Sequence, residues 1–414
     1  MTTSKDAVLV LGGGIYQIPL IERIKARNMR AVVASIPGNY PGIALADESL
    51  PINTTDEQGI VDAARSMHVA AIVTTGTDVA LRSLGAAVDA LGLAGPTLSM
   101  ASRATNKADM KRAFIAGGVR TARFVQATDE AGAVATWAEL HPENDSHPLM
   151  VKCPDRSGSR GIVLVTDPAQ IPLAFRDATD ASLCGYAVVE DFIAGHEIGL
   201  DGYVGVDGKV AFLAFHDKVV RNNGHTDVPI GHRMDAGFIQ HCQTETDLAE
   251  QAQRTATAVG MRSCFFNMDV ILDADNHAWV IEAGVRAGAT CIPEVIGLYY
   301  GFDYYEAMID AALGQEPFFP TEPVCGASEG RLMLSDSEAV AQDTAVEDIL
   351  GPIREQYGVS IEASLDYAAG ERLPAFENGT SRIGQIVCSG PDPHTVATAI
   401  GCAQKKLEAK YIGA

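Results

Sequence analysis

Residues 265–289 read FFNMDVILDADNHAWVIEAGVRAGA and contain two strand-like apolar runs around the turn-rich segment DADNH. Each run carries one acid, Asp269 in the first and Glu282 in the second. Burying a carboxylate costs several kcal/mol unless a cation or hydrogen bonds compensate it, so two acids on adjacent strands indicate a bound hard cation. Arg286 follows four residues after Glu282, where it would meet a phosphate beside that cation. The alternative is a β-hairpin with two solvated acids.

The composition limits the classes of partner. The 414 residues suffice for two to four domains at roughly 150 residues each, and the formal net charge of −22 argues against a general surface for nucleic acid or anionic membrane. The eight cysteines are scattered without a CxxC pair, as expected for reduced core residues of a cytoplasmic protein. The chain enters a strand almost at once, so we expect no signal peptide, and no apolar run approaches membrane-spanning length.

The first hundred residues alternate between strand and helix patterns, which predicts a parallel sheet with helices on its faces. A glycine loop, Gly12 to Gly14, follows the first strand. A dinucleotide site is disfavoured because Gln17 stands where a third glycine would be needed. A second loop, Gly76 to Asp78, follows a later strand. Both loops should lie at the same edge of the sheet.

The next segment predicts one helix rich in Ala and Lys, stopped by Gly117 and Gly118. Lys107 and Lys111 are four residues apart on one face of this helix, and a solvated surface lysine is the default interpretation of each. Beyond it, Lys152 lies in a strand before a Gly/Ser loop, 157–161, and a second strand. Such a hairpin predicts a mobile lid whose free amides wrap phosphate oxygens, although a plain hairpin loop stays open.

An apolar strand ends at Glu190, and Glu197 opens another strand-like run. The hinge-like residues between them suit an adenine ring, whose edge backbone groups can read, and the second acid could hold ribose hydroxyls. The following segment, 214–236, is predicted to be a long polar functional loop, and its histidines are either substrate-side or structural. Beyond Pro320, short strands and an amphipathic last helix predict a small closing domain.

The order of these features resembles the ATP-grasp superfamily of carboxylate-amine ligases, which includes D-alanine–D-alanine ligase, biotin carboxylase, phosphoribosylglycinamide synthetase and the L-amino-acid ligases. The resemblance covers most of the chain. It implies an α/β plus α+β fold with an N-terminal parallel α/β domain (1–105), an ATP-grasp region (106–320) with a lid subdomain at about 120–190, and a C-terminal α+β domain (321–414).

The resemblance also implies roles for the motif residues. Lys107 and Lys152 would contact ATP phosphates, and Lys218 and Arg286 would act at the γ-phosphate and the acyl-phosphate product. Asp269 and Glu282 would bind Mg²⁺, or Mn²⁺ in its place. The remaining ATP-binding residues would be the lid loop Ser157, Gly158, Ser159, Arg160 and Gly161, the adenine clamp Glu190, Asp191, Phe192 and Ile193, and the ribose acid Glu197. The acid-substrate pocket would be lined by Gly13, Gly14, Gly76, Thr77, Asp78 and Arg286.

One departure from the family falls on the second strand of the opening stretch. Relatives commonly read Glu-x-Asn-x-Arg there, with the Asn binding a second metal ion, whereas Gly284 takes the Asn position here. Asn267 lies two residues before Asp269 and therefore on the same strand face, so its amide oxygen is a candidate replacement. The alternatives are that water fills the position or that the second ion binds weakly.

The function implied is an ATP-dependent ligase that joins a small-molecule carboxylate to an amine, of the amino-acid or dipeptide type. One alternative is a purine-type or carboxyphosphate-forming ligase that uses formate or bicarbonate. A rival from another class is a nucleotide-binding regulatory protein without catalysis, for which Gly284 is the best argument. Relatives are often dimers, so a homodimer is expected among the partners, and neither nucleic acid nor membrane is.

Overall fold

The structure is a computed structural model that describes residues 6–142, 147–156, 161–223, 227–237 and 242–413. The first unit contains β1 (Ala7–Leu11), α1 (Ile18–Ala26), β2 (Arg30–Ala34), α2 (Pro41–Leu45), β3 (Glu48–Leu50), α3 (Glu57–Ser66), β4 (Val69–Val73) and α4 (Leu81–Leu91). Its four strands are all parallel, in the order β3-β2-β1-β4. Alternate residues of β1 pack in different clusters, Val8 with Leu20 of α1 and Leu9 with Ile60 of α3. The predicted parallel sheet with helices on its faces is confirmed.

The predicted single helix after this unit is two helices, α5 (Leu98–Ala104) and α6 (Lys107–Ala116). The break lies at Asn106, whose side-chain oxygen accepts hydrogen bonds from the amides of Ala108 and Asp109. Asn is a favoured N-cap because its side chain satisfies amides that have no partner within the helix. The new cap places Lys107 at the first position of α6, where its backbone amide donates to the Pro154 carbonyl at 2.8 Å.

The lid region contains β5 (Phe124–Ala127), α7 (Glu130–Leu140), β6 (Leu149–Lys152), β7 (Ile162–Val165), α8 (Ile171–Ala181) and β8 (Ala187–Asp191). Its strands form an antiparallel sheet in the order β5-β8-β6-β7. The predicted β6–β7 hairpin is confirmed. Residues 157–160 of its loop lie outside the described part of the chain.

The rest of the chain contains β9 (His196–Val204), β10 (Val210–Asn222), β11 (Asp227–Asp235), α9 (Cys242–Val259), β12 (Cys264–Leu272), β13 (Ala278–Gly284), α10 (Ile292–Tyr300), α11 (Tyr304–Ala312), β14 (Ala327–Met333), β15 (Ala339–Val340), α12 (Val346–Tyr357), β16 (Ser360–Leu365), β17 (Arg372–Leu373), β18 (Gly384–Gly390) and α13 (Pro393–Ile412). Eight of these strands form one sheet in the order β13-β12-β9-β10-β11-β14-β18-β16. The strands predicted for the closing domain therefore continue the central sheet through the β11–β14 pair. The domain boundaries themselves stay a prediction.

The long polar loop predicted for 214–236 is wrong over its described residues. They form most of β10 and β11, which pair with each other, while β10 also pairs with β9 and β11 with β14. Polar side chains here do not mark a loop, because strand geometry turns alternate residues to opposite faces, and Lys218 on one face pairs with Glu197 and Asp269 of neighbouring strands. His225 lies outside the described residues. None of the described helices is long and apolar enough to span a membrane.

Candidate active site

The two acids of the opening stretch face each other across adjacent strands. Asp269 of β12 is the register partner of Glu282 of β13. Their side chains are 34% and 33% exposed, whereas Met268 and Val270 are buried beneath the sheet. The alternation of apolar and acidic residues thus turns both carboxylates to one face. Their oxygen atoms are the donors that Mg²⁺ and Mn²⁺ prefer.

Lys218 of β10 bridges two of the predicted acids. Its Nζ donates to Oε1 of Glu197 and to Oδ1 of Asp269, both at 2.6 Å. Burial alone would lower the pKa of this lysine, but the two carboxylates raise it above its usual value. The predicted ribose acid, the predicted γ-phosphate lysine and one predicted metal ligand therefore form one charged group.

Lys107 occupies the corresponding place beside the other acid. Its Nζ lies 3.4 Å from the Glu282 carboxylate and donates to the Arg156 carbonyl at 2.8 Å. Burial opposes the charge, but Glu282 raises the pKa of Lys107 overall. The interpretation of Lys107 as a solvated surface lysine is wrong, since it is buried. Lys107 thus connects Glu282 of β13 with Arg156, which precedes the loop 157–161.

The Glu190 carboxylate binds two lysines rather than lying free at a nucleotide pocket. Its Oε1 pairs with Lys152 and its Oε2 with Lys111 at 2.9 Å, and all three side chains are buried. Burial would raise the pKa of Glu190, but the two ammonium groups lower it to about 2. Lys111 is thus a buried site residue that the default interpretation of a solvated lysine missed.

The predicted adenine clamp follows at the end of β8. Its first amides are already used within the protein, because Asp191 donates to the Arg123 carbonyl and Phe192 to the Pro148 carbonyl. The Asp191 carboxylate also accepts from the Arg123 side chain at 2.7 Å. A backbone reading of adenine would therefore begin at Ile193 rather than at Asp191.

Arg286 and the second N-terminal loop meet in a two-bond ion pair. Nε and Nη2 of Arg286 donate to the two carboxylate oxygens of Asp78 at 2.6 and 2.9 Å. Burial would raise the pKa of Asp78, but the guanidinium lowers it overall. Gly76 in the same loop adopts φ +67°, and a Cβ there would lie 2.9 Å from Tyr16. Both the backbone conformation and the lack of space therefore favour glycine at position 76.

Gln17 ties the two N-terminal loops together. Its Oε1 accepts from the Gly14 amide at 2.9 Å, and its Nε2 donates to the Thr75 carbonyl at 2.6 Å. The Gly13 carbonyl accepts from the Gly42 amide at 2.8 Å. The residue that argued against a dinucleotide site thus has a structural role, and both loops lie at one sheet edge as predicted.

Asn267 lies directly opposite Gly284 in the β12–β13 register. Its Nδ2 donates to Oδ2 of Asp201 at 2.7 Å. Asp201 also accepts from Nε2 of His216 at 3.0 Å, and His216 meets His232 through their Nδ1 atoms at 2.9 Å. Both histidines are buried, which favours the structural interpretation over the substrate-side one. Asp201 was not predicted, although period-2 alternation places it on the same strand face as Glu197.

The hairpin that bears the lid loop closes through a hydrogen bond from the Cys153 amide to the Gly161 carbonyl at 2.8 Å. Gly161 has φ +65°, and a Cβ there would lie 2.9 Å from the Cys153 Cβ. The predicted phosphate-binding residues Ser157, Gly158, Ser159 and Arg160 lie outside the described residues.

Residues 146–294 match the ATP-grasp domain family. Phosphoribosylamine–glycine ligase of Listeria monocytogenes is 30% identical over 209 residues, which is 48% of this chain and 47% of that protein. The chain thus spans about half the length of this relative. Alanine–anticapsin ligase of Bacillus subtilis is 22% identical over 84% of this chain and 79% of its own. Phosphoribosylglycinamide synthetase from Anaerococcus prevotii has a similar structure, with a TM-score of 0.77 at 23% identity over 98% of both chains.

Residues 146–294 therefore match the ATP-grasp domain, and the resemblance inferred from the sequence and the α/β plus α+β fold class are confirmed. The relatives that the chain matches are named ligases.

Proposed function

We propose that the chain is an ATP-dependent ligase that joins a carboxylate to an amine through an acyl phosphate. The observation that carries this proposal is the opposed pair Asp269 and Glu282, each neutralised by a buried lysine. Two carboxylates on one sheet face, with the ammonium groups of Lys218 of β10 and Lys107 of α6 beside them, are the charges that a metal–triphosphate complex requires. The family match and the ligase names of the relatives support the same activity.

Each charged group has a distinct role in this proposal. Lys107 and Lys152 contact the phosphates of ATP, the lid loop 157–161 closes over them, and Glu197 holds the ribose. Glu190 holds Lys111 and Lys152 in place, and Ile193 supplies the backbone contact to adenine. Lys107 and Lys218 pair with carboxylates in this structure. Both would exchange these carboxylates for phosphate oxygens when nucleotide binds.

The carboxylates of Asp269 and Glu282 fit Mg²⁺, with Mn²⁺ as the alternative ion, because they offer adjacent hard oxygen donors on an accessible face. The amide oxygen of Asn267 is the proposed ligand for a second ion in place of the missing Asn at Gly284. A bound ion would neutralise charge on the phosphates during transfer.

The reaction has two steps in this proposal. A carboxylate oxygen of the acid attacks the γ-phosphorus, the bond to the bridging oxygen breaks, and ADP leaves. The amine nitrogen then attacks the acyl carbon and loses a proton, and phosphate leaves. Lys218 and Arg286 stabilise charge on the transferred group, so the chain's contribution is positioning and electrostatics rather than a nucleophilic side chain.

We propose an amino acid as the acid substrate, which the match to alanine–anticapsin ligase over 84% of the chain supports. Gly13, Gly14, Gly76, Thr77 and Asp78 would line its pocket together with Arg286. A purine-type ligase is the second candidate, because phosphoribosylamine–glycine ligase and a phosphoribosylglycinamide synthetase are also similar to this chain. A form that uses formate or bicarbonate is the corresponding alternative.

A matrix of acids and amines, assayed for ADP release, tests the proposal and separates its candidates. Amino acids, formate and bicarbonate are offered singly with pooled amines, and only the true acid should increase turnover. A nucleotide-binding regulator would bind ATP yet release no ADP with any pair. Cytoplasmic location and a homodimer stay predictions, and sedimentation velocity measures the oligomeric state.

A further inference from the structure

Asp201 is a buried carboxylate that the proposed reaction does not use. It lies on β9 beside Asn267, its side chain is fully buried, and it accepts three hydrogen bonds. Its Oδ1 accepts from the Gly288 amide at 2.8 Å, and its Oδ2 accepts from Asn267 at 2.7 Å and His216 at 3.0 Å. A buried anion of this kind holds its donors firmly, because each lost bond would leave charge uncompensated.

The hydrogen bond from Asn267 to Asp201 fixes the orientation of the Asn267 side-chain amide. Since Nδ2 is committed to Asp201, Oδ1 is the end left to face away from it. Asn267 shares its strand face with Asp269 and stands opposite Gly284, the position from which relatives are expected to offer an amide. In this chain the amide thus comes from Asn267 on β12 instead of from position 284 on β13, and Asp201 on β9 sets its orientation.

The same carboxylate also restrains the segment that follows Arg286. Gly288 lies on the other oxygen of Asp201, and a Cβ at Gly288 would lie 3.2 Å from both Asp201 and Asn267. Two residues further on, Thr290 and Cys291 have φ +55° and +68°, a left-handed conformation that costs non-glycine residues energy. Such a turn persists only where its surroundings hold it.

We propose that Asp201 is a positioning residue that turns the Asn267 amide oxygen toward the metal ions of the nucleotide complex and anchors the Arg286–Cys291 segment beside it. This inference rests on the proposed function, because it presumes a metal site at Asp269 and Glu282. Second-sphere residues that orient metal ligands typically change metal affinity by about 10- to 100-fold when they are altered.

A reciprocal exchange of the two side chains distinguishes positioning from simple structural support. In D201N the Gly288 amide keeps the side-chain oxygen, so the new NH2 group meets the donors of Asn267 and His216, and we expect Asn267 to rotate its amide and turn Nδ2 toward the metal. In D201N/N267D the hydrogen bond is restored with reversed polarity, and a carboxylate oxygen of residue 267 faces the metal again. The exchange also conserves the net charge of the pair.

The measurement is Mn²⁺ affinity of the full chain in the presence of ADP, followed by the electron paramagnetic resonance signal of free Mn²⁺. We expect D201N and N267A each to weaken Mn²⁺ binding by about tenfold or more, and D201N/N267D to recover to within about threefold of the unaltered chain. D343N, which changes an exposed carboxylate between β15 and α12, is the matched control and should leave the affinity unchanged.

Unaltered affinity in D201N, or a double variant as weak as D201N, would overturn the inference. Should D201N fail to fold, as judged by circular dichroism, the double variant decides alone, with recovery supporting the inference and a tenfold loss overturning it. D269N separates this inference from the proposed function. If D269N also binds Mn²⁺ normally, the metal site itself is wrong, whereas a weakened D269N beside a normal D201N removes only the role of Asp201.

Discussion

The Glu190 carboxylate lies between two lysines, and the residue is buried, with only 2% of its surface exposed. Its neutralisation to Gln would leave the ammonium groups of Lys111 and Lys152 buried without their anion. Breaking a buried ion pair by removing one partner typically costs about 3–5 kcal/mol. The position of a lysine in a helix does not reveal such a partner, because Glu190 reaches α6 only through the folded lid.

We expect E190Q to lower the free energy of unfolding by about 3–5 kcal/mol, measured by urea denaturation. E250Q is the matched control, because it removes the same charge from an exposed pair with Arg254 and should change stability by about 1 kcal/mol at most. Equal stability of the two variants would show that the buried group contributes no more than a surface pair.

The pair of buried histidines predicts a pH dependence of stability. Burial first, and then His216 and Lys218, hold the pKa of His232 well below its usual value of 6.5. Below pH 6.5 the unfolded chain therefore binds a proton at this residue that the folded chain does not, and stability falls as the pH falls. The loss sets in as the pH falls through about 6.5 and grows by roughly 1 kcal/mol between pH 6.5 and 5.5.

H232N should remove this contribution, so the difference in unfolding free energy between it and the unaltered chain should shrink as the pH falls from 8 to 5.5. H394N changes an exposed histidine on α13 and should follow the unaltered chain at every pH. A constant difference for H232N across that range would contradict the assignment.

At the scale of elements, two glycines of the central sheet differ in how much space surrounds them. A Cβ at Gly199 of β9 would lie 1.9 Å from the His216 ring, whereas the nearest atoms to a Cβ at Gly284 of β13 lie 3.6 and 3.8 Å away. Gly199 therefore makes room for the buried histidine, and Gly284 leaves space that a side chain can fill.

We expect G199A to destabilise the chain by about 1–3 kcal/mol or more, as overpacking does, while G284A stays within about 1 kcal/mol, since it adds only ordinary contacts on a strand. Thermal unfolding of both variants makes the comparison. A G284A variant as unstable as G199A would mean that the sheet around Gly284 is already fully packed.

The elements also show where the sequence sufficed. The β12–β13 hairpin and the β6–β7 hairpin were predicted because the two apolar runs of each are close in sequence, separated by residues 273–277 and 153–161. β10 and β11 were mistaken for a loop because one of their faces carries charged residues such as Lys218, and because β11 pairs with β14, about a hundred residues later. Pairing at that separation leaves no periodic signal in either strand.

At the scale of the whole molecule, the order of lysines, lid, acids and arginine predicted the fold, and the structure brings Lys107, Lys218 and the acids Asp269 and Glu282 together. That order did not reveal Lys111 or Asp201, since their importance arises from burial among elements distant in sequence. Nor did it reveal that Asp78 pairs with Arg286, a contact between loops 208 positions apart. The order of motifs can be read directly from the sequence, whereas the partners that compensate a buried charge come together only in the folded chain.

The continuous eight-stranded sheet predicts that the C-terminal residues are not a detachable domain. Truncation after residue 320 removes β14, β18 and β16, which exposes the edge of β11 and the apolar residues Val295 and Ile296 of α10 that pack in one cluster with Leu332 and Val387. Exposed edges and apolar faces associate, so we expect aggregation in sedimentation experiments. A monomeric truncated chain with cooperative unfolding would support an independent central domain instead.

ADP release in the acid-by-amine matrix, measured for the unaltered chain and for D269N and E282Q with Mg²⁺ present, tests the ligase assignment most directly. The assignment predicts that one acid–amine pair raises ADP release and that both variants lose this stimulation, because each removes one of the opposed carboxylates. If no pair stimulates ADP release, while the unaltered chain and both variants still bind ATP, the chain is a nucleotide-binding protein and the ligase assignment is wrong.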